Sequence, residues 1–163
     1  MQETSLQGAT FLQQNSAQAD LIHVFVYGTL KPGEANFLPY CQGKVRALRA
    51  ALVQGEIFDF PQFGYPAMTP GKLWVQGYIL SFDDDAILAE LDGLEDYDPQ
   101  QPDEQNIYRR EWIEVFDGDR HSCGHAWCYR MIPQLVREFG GLPVPSGNWR
   151  GNGQAVAVSH SFA

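Results

Sequence analysis

Basic residues are scarce in this chain: 11 Lys and Arg stand against 20 Asp and Glu, which gives a formal net charge of −9 over 163 residues. A nucleic-acid surface needs clustered Lys and Arg to neutralise phosphates, and an anionic membrane attracts the same groups. No apolar run approaches the roughly 18 residues that span a bilayer. We therefore expect neither a nucleic-acid partner nor a membrane partner.

Cysteine is also scarce, with only Cys41, Cys123 and Cys128. Three thiols cannot all pair with one another. The first twenty residues contain no Lys or Arg, so they lack the basic start of a secretory signal. We expect reduced thiols, a cytoplasmic location and a flexible arm over 1–20.

The remaining composition is typical of one globular domain. Hydrophobic residues make up 44% of the chain and aromatic residues 13%, while the 16 glycines and 10 prolines are scattered without a repeat. We predict a single domain over 21–149, followed by a flexible tail over 150–163. Predicted strands outnumber helices, which indicates an α+β fold around a curled sheet.

Apolar and alternating runs predict the strands and short helices. Gly55 is expected to form a bend or bulge inside its strand, and Asp117-Gly118 is a typical hairpin turn. Strands are predicted at Leu21–Tyr27, within Lys44–Phe60, at Leu73–Phe82, and in a hairpin of Arg110–Phe116 with Cys123–Arg130. Short helices are predicted within Glu34–Gln42 and Pro133–Phe139.

The first strand ends abruptly at Gly28-Thr29-Leu30. A strand that breaks at a glycine presents backbone N–H groups without sheet partners, and such groups bind carboxylate or oxyanion oxygens. The loop is not a nucleotide phosphate loop, because neither a Gly-Lys-Ser/Thr ending nor a G-x-G-x-x-G pattern occurs. An ordinary exit from a strand into a turn is the alternative interpretation.

A second helical pattern ends at a lone carboxylate, Glu95. Ser81 and Asp83–Asp85 mark its start, and Ile87, Leu88, Leu91 and Leu94 form one apolar stripe. Glu95 follows an inward-facing leucine at the negative end of the helix dipole, and both burial and that dipole raise the pKa of a carboxyl. A carboxylate with a raised pKa suits general base catalysis near neutral pH. A solvated surface glutamate is the alternative.

Two other kinds of site are suggested by the cysteines. His121, Cys123, His125 and Cys128 resemble a zinc cluster, but the first three would share one strand face and Cys128 the other, whereas tetrahedral sites gather ligands from two elements. A cysteine hydrolase would need Cys41 or Cys123 beside a histidine base. Neither lies in a recognisable nucleophile turn, so buried thiols are the simpler interpretation.

Five motifs carry a family resemblance. VFVYGTLKPGEAN, GYPAM, LDGLEDY, YRR and HAWCY occur in that order between Leu21 and Trp149. In order and spacing they resemble the γ-glutamylcyclotransferase-like (AIG2-like) proteins, including the γ-glutamylamine cyclotransferase type. The resemblance implies a small mixed β-barrel flanked by helices, with a cavity at one end of the barrel. It implies that Glu95 is catalytic and that Tyr27, Gly28, Thr29 and Leu30 bind substrate.

The implied reaction releases 5-oxoproline from a small γ-glutamyl substrate without a metal or organic cofactor. Glu95 would take a proton from the α-ammonium group, and the freed amine would attack its own γ-carbonyl. Tyr65 and Tyr108 would line the cavity and donate to substrate, or else pack in the core with satisfied hydroxyls. The leaving amine and the oligomeric state stay open. A non-catalytic module that binds a glutamyl-like metabolite or a protein partner is the alternative function.

Overall fold

The computed structural model describes residues 21–151. The predicted arm over 1–20 and nearly all of the predicted tail lie outside these residues. Within residues 21–151 there are six strands and three short α-helices. The strands are β1 Ile22–Val26, β2 Val45–Phe60, β3 Tyr65–Phe82, β4 Tyr108–Phe116, β5 Ser122–Met131 and β6 Leu142–Pro143. The helices are α1 Phe37–Cys41, α2 Ala86–Leu94 and α3 Pro133–Glu138, and a 3₁₀ turn covers Asp103–Gln105.

The six strands form one sheet in the order β3-β1-β5-β4-β2-β6, and β3 also pairs with β2. The pairings therefore run in a closed circuit from β3 through β1, β5, β4 and β2 back to β3. Only one residue pair, Leu52 with Phe116, joins β2 to β4. The fold is mixed α+β, as predicted, and this one residue pair completes the circuit of strands.

β1 lies between β3 and β5, antiparallel to β3 and parallel to β5. Its side chains alternate between two buried clusters: Val24 and Val26 pack in one, and Phe25 packs in the other with Tyr27 just beyond the strand. Both faces are therefore covered, as the continuous apolar run predicts.

β3 begins at Tyr65, eight residues before the predicted start. Pro66 and Pro70 argue against a strand, since proline cannot donate to a ladder. Both prolines lie in the half of β3 that pairs with β2 only, because β1 reaches no further along β3 than Tyr78. No second strand pairs with that half, so it lies at an edge of the sheet, where proline is tolerated.

The other predicted elements are confirmed, with small changes at their ends. The register of β2 against β3 shifts at Gly55, as a bulge requires. α2 starts at Ala86, whose N–H donates to Asp84 Oδ1 at 2.9 Å. Ser81, expected to mark the helix start, instead lies inside β3 and hydrogen-bonds His23 Nδ1 at 2.7 Å. No helix in the described part of the chain combines the length and apolarity needed to cross a membrane.

Two glycines provide a test of the packing. A Cβ at Gly77 would lie 2.2 Å from the carbonyl oxygen of Val26, whereas a Cβ at Gly93 in α2 would meet nothing within 4 Å. We expect Gly77→Ala to lower the free energy of unfolding by about 1–3 kcal/mol, the usual penalty for overpacking. Gly93→Ala should raise it by about 0.5–1 kcal/mol, because alanine loses less backbone freedom in a helix. Urea unfolding measures both, and equal effects would contradict the proposed contact.

Candidate active site

A narrow pocket lies where the exit of β1 meets the end of α2. All seven residues predicted for the site line it: Tyr27, Gly28, Thr29, Leu30, Tyr65, Tyr108 and Glu95. Phe25, Val26, Pro66 and Tyr129 complete the wall. Its volume is about 30 Å³, room for about two water molecules. Segments separated by as many as 102 residues in the sequence, such as those of Tyr27 and Tyr129, therefore meet around one small cavity.

Glu95 is the C-cap residue of α2, and its own N–H donates to the carbonyl of Leu91 at 2.9 Å. The next residue, Asp96, has a φ of 52° and turns the chain away from the helix. Within residues 21–151 the Glu95 carboxyl accepts no hydrogen bond and forms no ion pair. Burial raises its pKa to about 8. Desolvation accounts for this direction, and the helix dipole invoked from the sequence is not required.

The loop after β1 presents the expected backbone amides. The N–H groups of Gly28, Thr29 and Leu30 donate to no acceptor in the described part of the chain. The carbonyl groups of the loop are engaged: Lys31 N–H donates to Gly28 at 3.1 Å and Asn36 N–H to Thr29 at 2.8 Å. The loop is thus held by its carbonyls while its amides stay available.

Gly28 is required for a reason that the sequence did not show. A Cβ at this position would lie 2.7 Å from Cγ of Pro66. The glycine therefore lets the β1 exit pack against the GYPAM segment. Asn36 Nδ2 donates to Thr29 Oγ1 at 3.0 Å, which leaves the hydroxyl hydrogen of Thr29 for another acceptor.

The tyrosine hydroxyls have defined hydrogen-bond directions, because carbonyl and carboxylate oxygens can only accept. Tyr108 donates to the carbonyl of Pro66 at 2.8 Å, and Tyr27 donates to the carbonyl of Tyr129 at 2.6 Å. Tyr27 also accepts from the N–H of Met68 at 3.2 Å. For Tyr108 the interpretation as a core residue with a satisfied hydroxyl fits, since its hydrogen is not free to donate to a substrate. Tyr65 lines the pocket and packs against Phe60 and Phe63.

A buried ion pair behind the pocket was not recognised in the sequence. Asp92, in the last turn of α2, accepts from Nη1 of Arg110 at 3.0 and 2.9 Å and from the Tyr129 hydroxyl at 2.6 Å. Both charged residues lie inside motifs that carry the family resemblance, LDGLEDY and YRR. Their place inside these two motifs was the only signal in the sequence, and it does not identify them as partners.

The zinc and cysteine-hydrolase alternatives receive no support from the geometry. Gly124 has a φ of 113°, and β5 bulges at Cys123, whose sulfur donates to the carbonyl of Val115. The bulge turns Cys123 away from the face that carries His125, so the predicted shared face of these residues is wrong. Burial raises the pKa of the Cys41 thiol to about 11, and a thiol that resists ionisation is a poor nucleophile. All three cysteines are free, and none lines the pocket.

A different group in the described chain has metal-ligand spacing: Asp117, Asp119 and His121 have ligand atoms within 4.8 Å of one another. The trio lies in the β4–β5 turn, at the opposite end of β5 from Tyr129. Asp119 and His121 are exposed, and the Asp117 carboxylate accepts the N–H groups of both. The geometry is that of an ordinary hairpin turn.

A larger groove, of about 800 Å³, lies elsewhere on the surface and includes Lys31, Trp74 and Arg120 in its lining. It contains none of the predicted site residues and no carboxyl with a raised pKa. Buried titratable groups in a pocket mark functional sites better than volume does. We therefore assign the candidate site to the smaller cavity.

Comparison with known proteins agrees with this architecture. The model of the family described as "Gamma-glutamyl cyclotransferase, AIG2-like" matches residues 24–151. The chain belongs to this family. A Vibrio cholerae serotype O1 protein, provisionally named a γ-glutamylcyclotransferase, is 31% identical over 126 residues, which cover 77% of this chain and 93% of the relative.

Two solved structures share the fold. A mouse AIG2-like protein has a TM-score of 0.54 and 22% identity, covering 80% of this chain and 88% of the mouse chain. YkqA from Bacillus subtilis has a TM-score of 0.53 and 20% identity, covering 79% of this chain. The chain spans 39% of YkqA, so the same fold occurs there within a longer protein.

The raised pKa of Glu95 predicts a pH-dependent effect on stability. Its ordinary pKa of 4.5 applies when the chain is unfolded, and about 8 applies when it is folded. Folding therefore favours the protonated form, and stability falls as pH rises between these values. Glu95→Gln removes the ionisable group, so it should be as stable as the wild type near pH 4 and progressively more stable up to pH 8, by at most about 1.4 kcal/mol per pH unit.

Urea unfolding at pH 4, 6 and 8 measures this difference. The matched control is Glu90→Gln, one turn earlier in α2, where the glutamate is half exposed and pairs with Lys44 at 2.6 Å. This exposed control should show no gain that grows toward pH 8. A constant difference between Glu95→Gln and the wild type across this range would contradict the buried carboxyl.

Proposed function

We propose that this protein is a cofactor-independent γ-glutamylcyclotransferase that releases 5-oxoproline from a small γ-glutamyl compound. The observation that carries the proposal is Glu95, a carboxyl without a partner in the described chain, buried beside the free amides of the β1 exit. Family membership supports the same reaction class. We propose a cytoplasmic location as well, consistent with three free cysteines.

The pocket divides into a donor side and an acceptor side. The amides of Gly28, Thr29 and Leu30 supply donors, whereas Glu95 supplies acceptors and Tyr108 has already given its hydrogen to Pro66. A glutamyl unit carries an α-ammonium group that needs acceptors and a carboxylate and a carbonyl that need donors. This complementarity favours a γ-glutamyl ligand over a purely cationic or purely anionic one.

Glu95 is placed to act first as base and then as acid. Its carboxylate takes one proton from the substrate's α-ammonium group, and the nitrogen lone pair attacks the γ-carbonyl carbon to close a five-membered ring. The carbonyl π electrons move to the oxygen, and the protonated Glu95 passes its proton to the leaving nitrogen. The oxyanion electrons re-form the carbonyl as the carbon–nitrogen bond breaks, and the freed Glu95 carboxylate takes the second proton from the ring nitrogen, which leaves a neutral lactam. A pKa near 8 suits both transfers, because the group gains and loses a proton close to neutral pH.

The protein contributes mainly positioning and electrostatic stabilisation. Nucleophile and electrophile belong to one molecule, and well-oriented intramolecular attack is worth on the order of 7 to 11 kcal/mol. The loop amides can hold the α-carboxylate or the oxyanion, and only interactions strengthened in the transition state accelerate the reaction. A donor aimed at an oxyanion is worth on the order of 3 kcal/mol.

The narrowness of the pocket also constrains binding. A volume of about 30 Å³ is smaller than a glutamyl unit, so only part of the substrate lies in the narrow part of the pocket. The leaving amine would then remain at the mouth, outside the enclosed space.

Direct assay of 5-oxoproline release tests the proposed function. The purified protein is incubated with γ-glutamyl derivatives of amino acids, peptides, polyamines and lysine, and the lactam is quantified by mass spectrometry. We expect release from at least one class, with kcat reduced about a thousandfold or more in Glu95→Gln because the base is lost. Glu90→Gln should retain the parental rate.

Binding by calorimetry completes this experiment, because Glu95→Gln should retain much of the affinity for the same compound. Parental turnover in Glu95→Gln would show that Glu95 is not the base. Tight binding by the wild type without any lactam release would instead establish the binding-module alternative.

The pH dependence gives an independent check on Glu95. The free enzyme needs the ionised carboxylate to accept a proton, so kcat/KM should rise with pH and level off above the Glu95 pKa of about 8. Initial rates at subsaturating substrate between pH 5.5 and 9 measure the profile. A plateau that already begins below pH 6 would contradict a buried base.

A further inference from the structure

Asp92 is a buried charged group that the proposed reaction does not use. It is 8% exposed and lies three residues before Glu95 in α2. Its two oxygens accept from Arg110 Nη1, and Oδ1 also accepts from the Tyr129 hydroxyl. Burying an ion pair is rarely stabilising in itself, so the arrangement calls for a role beyond holding the fold.

The ion pair is held in a fixed place by its surroundings. The guanidinium of Arg110 lies 5.1 Å from the ring centre of Trp127 and 5.8 Å from that of Tyr97. Arg110 is also the cross-strand neighbour of Tyr129 in the β4–β5 ladder. Helix, strand and aromatic side chains therefore all constrain where the Asp92 carboxylate points.

The hydrogen of the Tyr129 hydroxyl is committed by this arrangement. A carboxylate paired with arginine can only accept, so Tyr129 is the donor in the 2.6 Å contact. The phenol oxygen keeps its lone pairs. Tyr129 lines the same pocket as Glu95, and the nearby Glu95 carboxyl is one of the groups that raise the pKa of Tyr129, after burial and the Asp92 contact.

Two other tyrosines of the wall are held differently, and Tyr27 is less able than Tyr129 to accept a ligand hydrogen. Tyr27 both donates to the Tyr129 carbonyl and accepts from the Met68 N–H. Tyr108 likewise gives its hydrogen away, to the carbonyl of Pro66, but this bond ties its hydroxyl to β3 and not to α2. Tyr129 is the hydroxyl held directly by the helix that ends in Glu95.

We propose that Asp92 is a positioning residue that keeps the hydrogen of Tyr129 turned away from the pocket, so that the phenol oxygen accepts an N–H of the substrate's α-ammonium group. This inference rests on the proposed function. One N–H of the ammonium gives its proton to Glu95, and a second stays hydrogen-bonded to Tyr129 while the lone pair turns to the γ-carbonyl. No bond to Tyr129 forms or breaks.

The test measures how much the α-amine contributes to binding. The probes are γ-L-glutamylethylamide and N-ethylglutaramic acid, which is the same molecule without the α-amine. Both are titrated calorimetrically in a Glu95→Gln background, where neither reacts. The ratio measured is the dissociation constant of N-ethylglutaramic acid divided by that of γ-L-glutamylethylamide. It isolates the contribution of the α-amine, because the two probes share every other contact.

Tyr129→Phe removes the acceptor and should lower this ratio about tenfold or more, as expected for a hydrogen bond to a charged group. Asp92→Ala combined with Arg110→Met frees the Tyr129 hydrogen without leaving a buried charge unpaired. This double variant should lower the ratio by a similar factor. Adding Tyr129→Phe to the double variant should change the ratio no further, because both changes remove the same contact to the α-ammonium group. Tyr78→Phe, a half-buried tyrosine outside the pocket, is the control and should leave the ratio unchanged.

An unchanged ratio in Tyr129→Phe would overturn the inference. So would equal weakening of both probes, because that is the result of a purely structural role. Turnover by the unmutated protein is scored separately: absence of lactam release counts against the proposed function, whereas the binding ratio is obtained without turnover.

Discussion

The pocket depends on how the last turn of α2 is held against the β4–β5 hairpin. Leu91 and Leu94 bury the apolar side of that turn, but hydrophobic contact is non-directional and tolerates rotation of a helix about its axis. The Asp92 contacts to Arg110 and Tyr129 are directional, since each has a fixed geometry. Together they fix the rotation of the helix end, and Glu95, the next residue after that turn, is thereby kept in the cavity instead of in water.

Much of this site could be predicted because its signals are local. The abrupt end of an apolar strand at Gly28 and the position of Glu95 after a leucine stripe are each readable within ten residues. The Asp117-Gly118 hairpin and the bulge at Gly55 are local in the same sense. The family resemblance supplied what local patterns do not, namely that these distant segments surround one pocket.

The features that were missed depend on long-range pairing. The early half of β3 is a strand despite Pro66 and Pro70 because its outer edge is free, and edge status is a property of the whole sheet. The bulge at Cys123 reverses an alternation that period-two reasoning assumes throughout a strand. The Asp92–Arg110 pair joins a helix to a strand 18 residues later, and nothing in either segment alone indicates the partner.

The ion pair also explains why a base can exist in this pocket. A free cation beside Glu95 would favour the carboxylate and lower its pKa, which would make it a weak base. Arg110 lies close behind the wall, but Asp92 neutralises it at 2.9 Å, and burial is the effect that sets the pKa of Glu95. Holding Arg110 on Asp92 lets desolvation act on Glu95 without opposition, and a carboxyl with a raised pKa of about 8 follows.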